Sequence, residues 1–171
     1  MNILIDNREQ SPWHFPEHVA TVYWGTINAG DYAIKGDEQN FAIERKSLDD
    51  FIGTISSGWT RFQNELERMK QRQFPARIII VEGDYESCCF RSNGDELIPP
   101  DHNHPKILPQ FVQKRIAELT MIQVHVLFAG DPVLAAALAY SILKERYKTI
   151  PKQDTNHADR NHRNSEASPI S

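Results

Sequence analysis

The reading turns on residues 41–51, Phe41-Ala42-Ile43-Glu44-Arg45-Lys46-Ser47-Leu48-Asp49-Asp50-Phe51. Phe41, Ala42 and Ile43 are apolar and largely β-favouring, so the stretch starts as a strand. Three ionised groups then stand in a row, Glu44, Arg45 and Lys46. Alternate side chains of a strand share a face, so Glu44 and Lys46 point the same way. Ser47 reads as a helix N-cap, with Asp49 and Asp50 in the first turn, where the helix dipole favours acids. Thirteen residues before Glu44, Gly30-Asp31-Tyr32 supplies a second carboxylate after a turn glycine. Asp, then Glu-x-Lys at a strand end, is the set that metal-assisted phosphodiester hydrolysis requires. Two acidic oxygens hold a hard divalent ion, and a lysine orients or activates the attacking water.

On the N-terminal side, residues 2–6 read as a buried strand running into Asp6, Arg8 and Glu9. Val19–Trp24 reads as a second strand, Gly30–Ile34 as a short third carrying Asp31, and Gly36-Asp37 as a hairpin-like turn. Three antiparallel strands in succession are expected to bring Asp31 and Glu44 side by side. On the C-terminal side, Asp49–Ile55 is a short helix and Trp59 to about Arg72 a second, with Trp59, Phe62, Leu66 and Met69 at helical spacing as core. Arg77–Val81 is a continuous apolar strand, the pattern of a strand covered on both faces, and Glu82 at its end reads first as a capping or surface acid. Residues 91–105 hold Gly94, Pro99, Pro100, Pro105 and two histidines, and read as a long surface loop. A helix over 106–121 and a strand over 123–129 follow. Asp131-Pro132 then starts a helix reaching about Tyr147.

Taken singly, each charged motif has a bland reading: a solvated strand end, a turn, a strand terminus. The ordered set does not. Ile43-Glu44-Arg45-Lys46 with Asp50 four residues after the lysine resembles the ERKxxxD signature of XPF-type structure-specific endonucleases. Gly30-Asp31-Tyr32 is similar to the GD motif of that family, and Asp6-Asn7-Arg8-Glu9 to its DxRE motif. The resemblance covers roughly residues 1–148. Arg61-Phe62 matches the last two residues of the family's GRF motif, although Trp59 and Thr60 separate them from Gly58. Glu65 stands where relatives often have glutamine.

The resemblance implies an α/β fold with a restriction-endonuclease-like PD-(D/E)XK core, a mixed central sheet flanked by helices. It implies a DNA endonuclease acting on flap, fork or branched DNA in repair, recombination or replication. The expected catalytic residues are Asp6, Asp31, Glu44 and Lys46. Asp31, Glu44 and the Arg45 backbone carbonyl are the expected ligands of Mg²⁺ or Mn²⁺. Arg8, Arg45, Asp50 and Arg61 are expected around them or on DNA phosphates, with Asp50 a candidate to orient Lys46 or Arg8. A homodimer or heterodimer through the C-terminal helices is a further expectation. Larger relatives often carry a tandem helix-hairpin-helix module, so further grip on duplex DNA is expected from a dimer mate, a partner or the domain itself. The alternative is a non-catalytic DNA-binding scaffold; such relatives usually lose the motif acids, and all of them are present here.

Length and composition fit one domain: 171 residues, 40% of them hydrophobic. Residues 149–171 are polar and rich in Asn, Asp, His, Ser and Arg, the composition of a disordered tail. The domain is therefore expected over 1–148. A net charge of −4 argues against binding nucleic acid through overall charge, but Arg61, Arg68, Lys70, Arg72 and Arg77 form a local basic cluster after the central motif. Cys88 and Cys89, adjacent and without a Cys/His framework, suit a reducing compartment. No signal peptide or run of ~20 apolar residues is evident, so an intracellular, cytoplasmic protein is expected, nucleoid-associated if bacterial, with no membrane partner.

Overall fold

The computed structural model describes residues 1–71, 76–89, 91–93, 96–98, 104 and 106–151. In chain order the elements are β1 (Asn2–Asp6), β2 (Thr21–Gly25), β3 (Tyr32–Ile34), β4 (Phe41–Ser47), α1 (Leu48–Ile55), α2 (Trp59–Gln71), β5 (Ala76–Glu82) and α3 (Tyr85–Cys89). They continue as β6 (Arg91–Asn93), β7 (Glu96–Ile98), α4 (Pro109–Met121), β8 (Val124–Phe128) and α5 (Pro132–Thr149). Six strands form one mixed sheet in the order β2-β1-β3-β4-β5-β8. Helices cover both faces, the architecture expected of the α/β class.

The alternation of β4 divides the layers. Phe41 and Ile43 face a core of Ile3, Ile5, Tyr32, Ile34 and Ile80 under α5. Ala42 faces the other way with Leu4 and Ala33. On that second side Ile79 and Val81 of β5 pack under α1 and α2 through Phe51, Ile52, Ile55, Phe62 and Leu66. β5 lies between β4 and β8, parallel to both, so both its faces are covered and it reads as a continuous apolar run.

Two expectations need correction, in β2 and in residues 91–105, and two further features could not be expected. β2 pairs parallel with β1 at the sheet edge, Ile3 opposite Val22, so the antiparallel trio is β1, β3 and β4. The chain after β1 must cross back before it can re-enter the sheet, and Pro12 and Pro16 lie on that crossing. Within 91–105, β6 and β7 form a separate antiparallel pair, Ser92 opposite Leu97. Asn93-Gly94, a strong hairpin signal, pointed to it. A short helix, α3, sets Cys88 in the core. Finally, Ala135, Ala136 and Ala139 of α5 face the sheet and are buried, while Val133 and Leu134 are exposed. The alanines' small size serves close helix-to-sheet packing within the chain. The expected tail lies outside the described residues from 152 onward, as do His102 and Arg72.

The helix starts are built as their sequences imply. The Ser47 hydroxyl accepts from the Asp50 N–H, and the Asp131 carboxylate accepts from the N–H groups of Val133 and Leu134. Each such cap stabilises its helix by about 1 kcal/mol. Among the described residues no helix is long and apolar enough to cross a membrane.

Candidate active site

Asp31 sits one residue before β3, whose Tyr32 pairs with Ile43 of β4, so its carboxylate lies near enough to Glu44 to feel its charge. The Asp31 N–H donates to the Ile43 carbonyl at 2.8 Å. The Arg45 N–H donates to Asp31 Oδ2, also at 2.8 Å. Gly30 permits this approach: its φ is +90°, and a Cβ there would lie 2.8 Å from that of Ala42. Burial and the facing Glu44 carboxylate push the Asp31 carboxyl up to about 7, with the Arg45 N–H opposing them.

Lys46 shares the face of Glu44, and its Nζ lies 2.8 Å from Glu44 Oε1. Below this pair a cavity of about 20 Å³, the size of one water, is lined by Glu44, Glu65 and Arg77 among apolar side chains. Beside Lys46, a polar cleft of about 460 Å³ opens between Asp50, Gly53, Gly58, Arg61 and His104. Gly58 closes the corner between α1 and α2, where a Cβ would meet the Gly53 carbonyl at 3.1 Å. Arg61 stands exposed at this cleft.

The other expected residues take different partners. Asp6 is buried, and its carboxylate accepts from Arg8 Nε at 2.7 Å, Arg8 Nη2 at 3.1 Å, the Arg8 N–H at 2.8 Å and the Ile27 N–H at 2.6 Å. Burial raises its pKa, but these donors together outweigh burial and hold it below the ordinary value. The Arg8 guanidinium, fixed in this way, feels the charges of both Asp31 and Glu44. Asp50 Oδ2 accepts from the Ser47 hydroxyl at 2.7 Å, so its partner is the helix cap, not Lys46 or Arg8.

Arg45 points through the opposite face of the sheet. Its Nε and Nη2 bind Glu82 Oε1 and Oε2 at 2.8 and 2.7 Å, and Nη1 lies 3.5 Å from Glu9. Glu82 is thus a partner inside the protein rather than a surface acid. The residues that sequence reasoning passed over are Trp13, whose indole N–H donates to Glu82 at 2.6 Å, and His104, whose Nε2 lies 3.2 Å from the Asp49 carbonyl. No local pattern marks either, because both reach the site from distant loops.

The ERCC4 domain family matches residues 5–142. The chain belongs to the ERCC4-domain family. Its fold is similar to that of the solved XPF from Aeropyrum pernix, with a TM-score of 0.61 at 20% identity over 88% of this chain. A second structure, the same organism's XPF in complex with DNA, matches with a TM-score of 0.58 at 20% identity over 86% of this chain. The chain spans 63% and 65% of the length of those two proteins. No curated protein sequence matches it. The family is that of the XPF-type nucleases.

The donor set suits a divalent cation. Asp31 and Glu44 are neighbouring hard oxygen donors, and burial first, then the Glu44 charge, raises Asp31, a cost that a bound cation would relieve. Among the described residues no three His, Cys, Asp or Glu side chains gather.

Proposed function

We propose that this ERCC4 domain is a metal-dependent endodeoxyribonuclease acting on branched or junction-containing DNA. The observation that carries the reading is the facing pair Asp31–Glu44 with the Lys46 ammonium 2.8 Å from Glu44. Asp31, Glu44 and the Arg45 carbonyl would hold Mg²⁺ or Mn²⁺, which when bound supplies Lewis-acid activation of the phosphate and of water. Lys46 places positive charge where the attacking water and the phosphate oxygens gain negative charge. Asp6 serves the same site by fixing Arg8 at its margin, and Arg61, exposed beside Lys46, offers a phosphate contact. Asp50 holds the start of α1, which keeps the wall of the cleft in place.

The solved complex of Aeropyrum pernix XPF with DNA supports DNA as the substrate. DNA repair, recombination or replication is the setting that such a substrate implies, inside the cell. A second copy of the chain is the proposed partner, through the face of α5 that presents Val133, Leu134 and Ala137.

The test is a panel of flap, fork and plain duplex DNAs, incubated with the protein in Mg²⁺ and in chelator. Cleavage of the branched members, dependent on metal, is the expected result. Tight DNA binding without cleavage in Mg²⁺ would instead identify a scaffold.

A further inference from the structure

We infer that Glu82, held by Trp13, is a positioning residue for the Asp31–Glu44 pair and acts through Arg45; this rests on the metal-dependent reading above. The contacts form a closed circuit across the sheet. Asp31 Oδ2 is held by the Arg45 N–H at 2.8 Å. The Arg45 side chain crosses to the α5 face, where Glu82 takes it with both carboxylate oxygens at 2.8 and 2.7 Å. A bidentate pair fixes the plane of the guanidinium as well as its distance. Glu82 Oε1 in turn accepts from the Trp13 indole at 2.6 Å. The Trp13 ring stacks on Tyr32, centroids 4.4 Å apart at 20°, and the Trp13 N–H donates to the Tyr32 hydroxyl at 2.8 Å. Tyr32 is fully buried and follows Asp31 directly, which closes the circuit.

The Arg45 backbone is therefore gripped on both faces. One grip is Asp31 itself. The other is an ion pair whose side chains are 16% and 9% exposed. A guanidinium in that setting is not free for DNA. Its neighbours on the strand, Glu44 and Lys46, carry the chemistry, and a tilt of Arg45 moves both. The ends of β4 and β5 are also in register here, Ser47 opposite Glu82, so the strand pair and the ion pair fix the same point. Groups that hold the direct ligands in this way change metal affinity by about 10–100-fold when removed.

The experiment measures Mn²⁺ binding by calorimetry on the full chain, beside circular dichroism, for wild type, Asp31→Asn, Glu82→Ala, Glu82→Gln and Trp13→Phe. Glu82→Ala is expected to weaken Mn²⁺ binding by about 10-fold or more. Glu82→Gln, which keeps an acceptor for the indole, is expected to recover part of that. Trp13→Phe keeps the stack on Tyr32 but loses the indole N–H, and is expected to weaken binding less than Glu82→Ala. Val112→Ala, a core change in α4 outside the circuit, should leave Mn²⁺ affinity unmoved. Should Glu82→Ala fail to fold, Glu82→Gln and Trp13→Phe carry the test. Mn²⁺ bound by wild type, lost in Asp31→Asn and unchanged in the folded Glu82 and Trp13 variants would overturn the inference alone. Absence of binding in wild type would overturn the metal-dependent reading and this inference with it.

Discussion

Asp31 is a carboxyl whose proton is held by its surroundings. Its ordinary value is 3.8, and burial with the facing Glu44 pushes it up to about 7. Between those two values the folded protein binds more protons than the unfolded chain. Stability contributed by the protonated form is complete below 3.8 and is lost as pH rises through about 7. The metal-free protein should therefore unfold at lower urea at pH 8 than at pH 5, and Asp31→Asn should flatten that slope. Urea titrations of both proteins in chelator at the two pH values check this; equal slopes would show that Asp31 is ionised throughout. At the neighbouring position, Lys46→Ala should leave Mn²⁺ affinity unchanged or slightly tighter, since it removes a positive neighbour. Single-turnover cleavage should fall by a factor on the order of 10², the scale of losing one electrostatic donor in the transition state. Should cleavage fall only in step with DNA affinity, Lys46 is a phosphate contact.

At the scale of elements, the site depends on two strands meeting at a glycine. Gly30 has φ +90° and no room for a Cβ beside Ala42 and the Ile43 carbonyl. Gly30→Ala should cost about 1–3 kcal/mol in stability through strain and clash together, and should misplace Asp31 as well. A urea titration and a cleavage assay on the same variant check both effects; wild-type values in the two would contradict this account of the motif. Much of this was legible in the sequence because the signals are local. The alternation of Phe41–Lys46, the Ser47 cap and the Asp131-Pro132 helix start each need only a few adjacent residues. What was not legible is what depends on distant pairing. Nothing near Thr21–Gly25 says that it runs parallel to β1. Nothing near Glu82 names Arg45 and Trp13 as its partners. The inward turn of Ala135, Ala136 and Ala139 is likewise set by the sheet beneath them. For the site residues, Asp31 and Glu44 could be paired from antiparallel strands, whereas the turn of Asp6 toward Arg8 and Ile27 needed the fold.

For the whole molecule, a net charge of −4 and a site lined with acids mean that on the proposed reading DNA would be met by a local basic surface and by a bound cation. Lys46 and Arg61, which line one polar cleft, would supply that surface. The exposed Val133 and Leu134, 77% and 58% accessible, give α5 an apolar outer face next to its buried one. A two-fold pairing of that face would cover it on both copies at once. Sedimentation at micromolar concentration should then show a dimer, and Leu134→Glu a folded monomer. A monomer at all concentrations would rule out a stable pair of identical chains.

The central claim is that the facing carboxylates Asp31 and Glu44 support hydrolysis of DNA at this site. Its most direct test is single-turnover cleavage of one branched DNA in Mg²⁺ by wild type and by Asp31→Asn, a substitution that preserves shape and can still accept from the Arg45 N–H. The account predicts cleavage by wild type that stops in chelator, and none above background from folded Asp31→Asn that still binds the DNA. Cleavage by folded Asp31→Asn at the wild-type rate would contradict it.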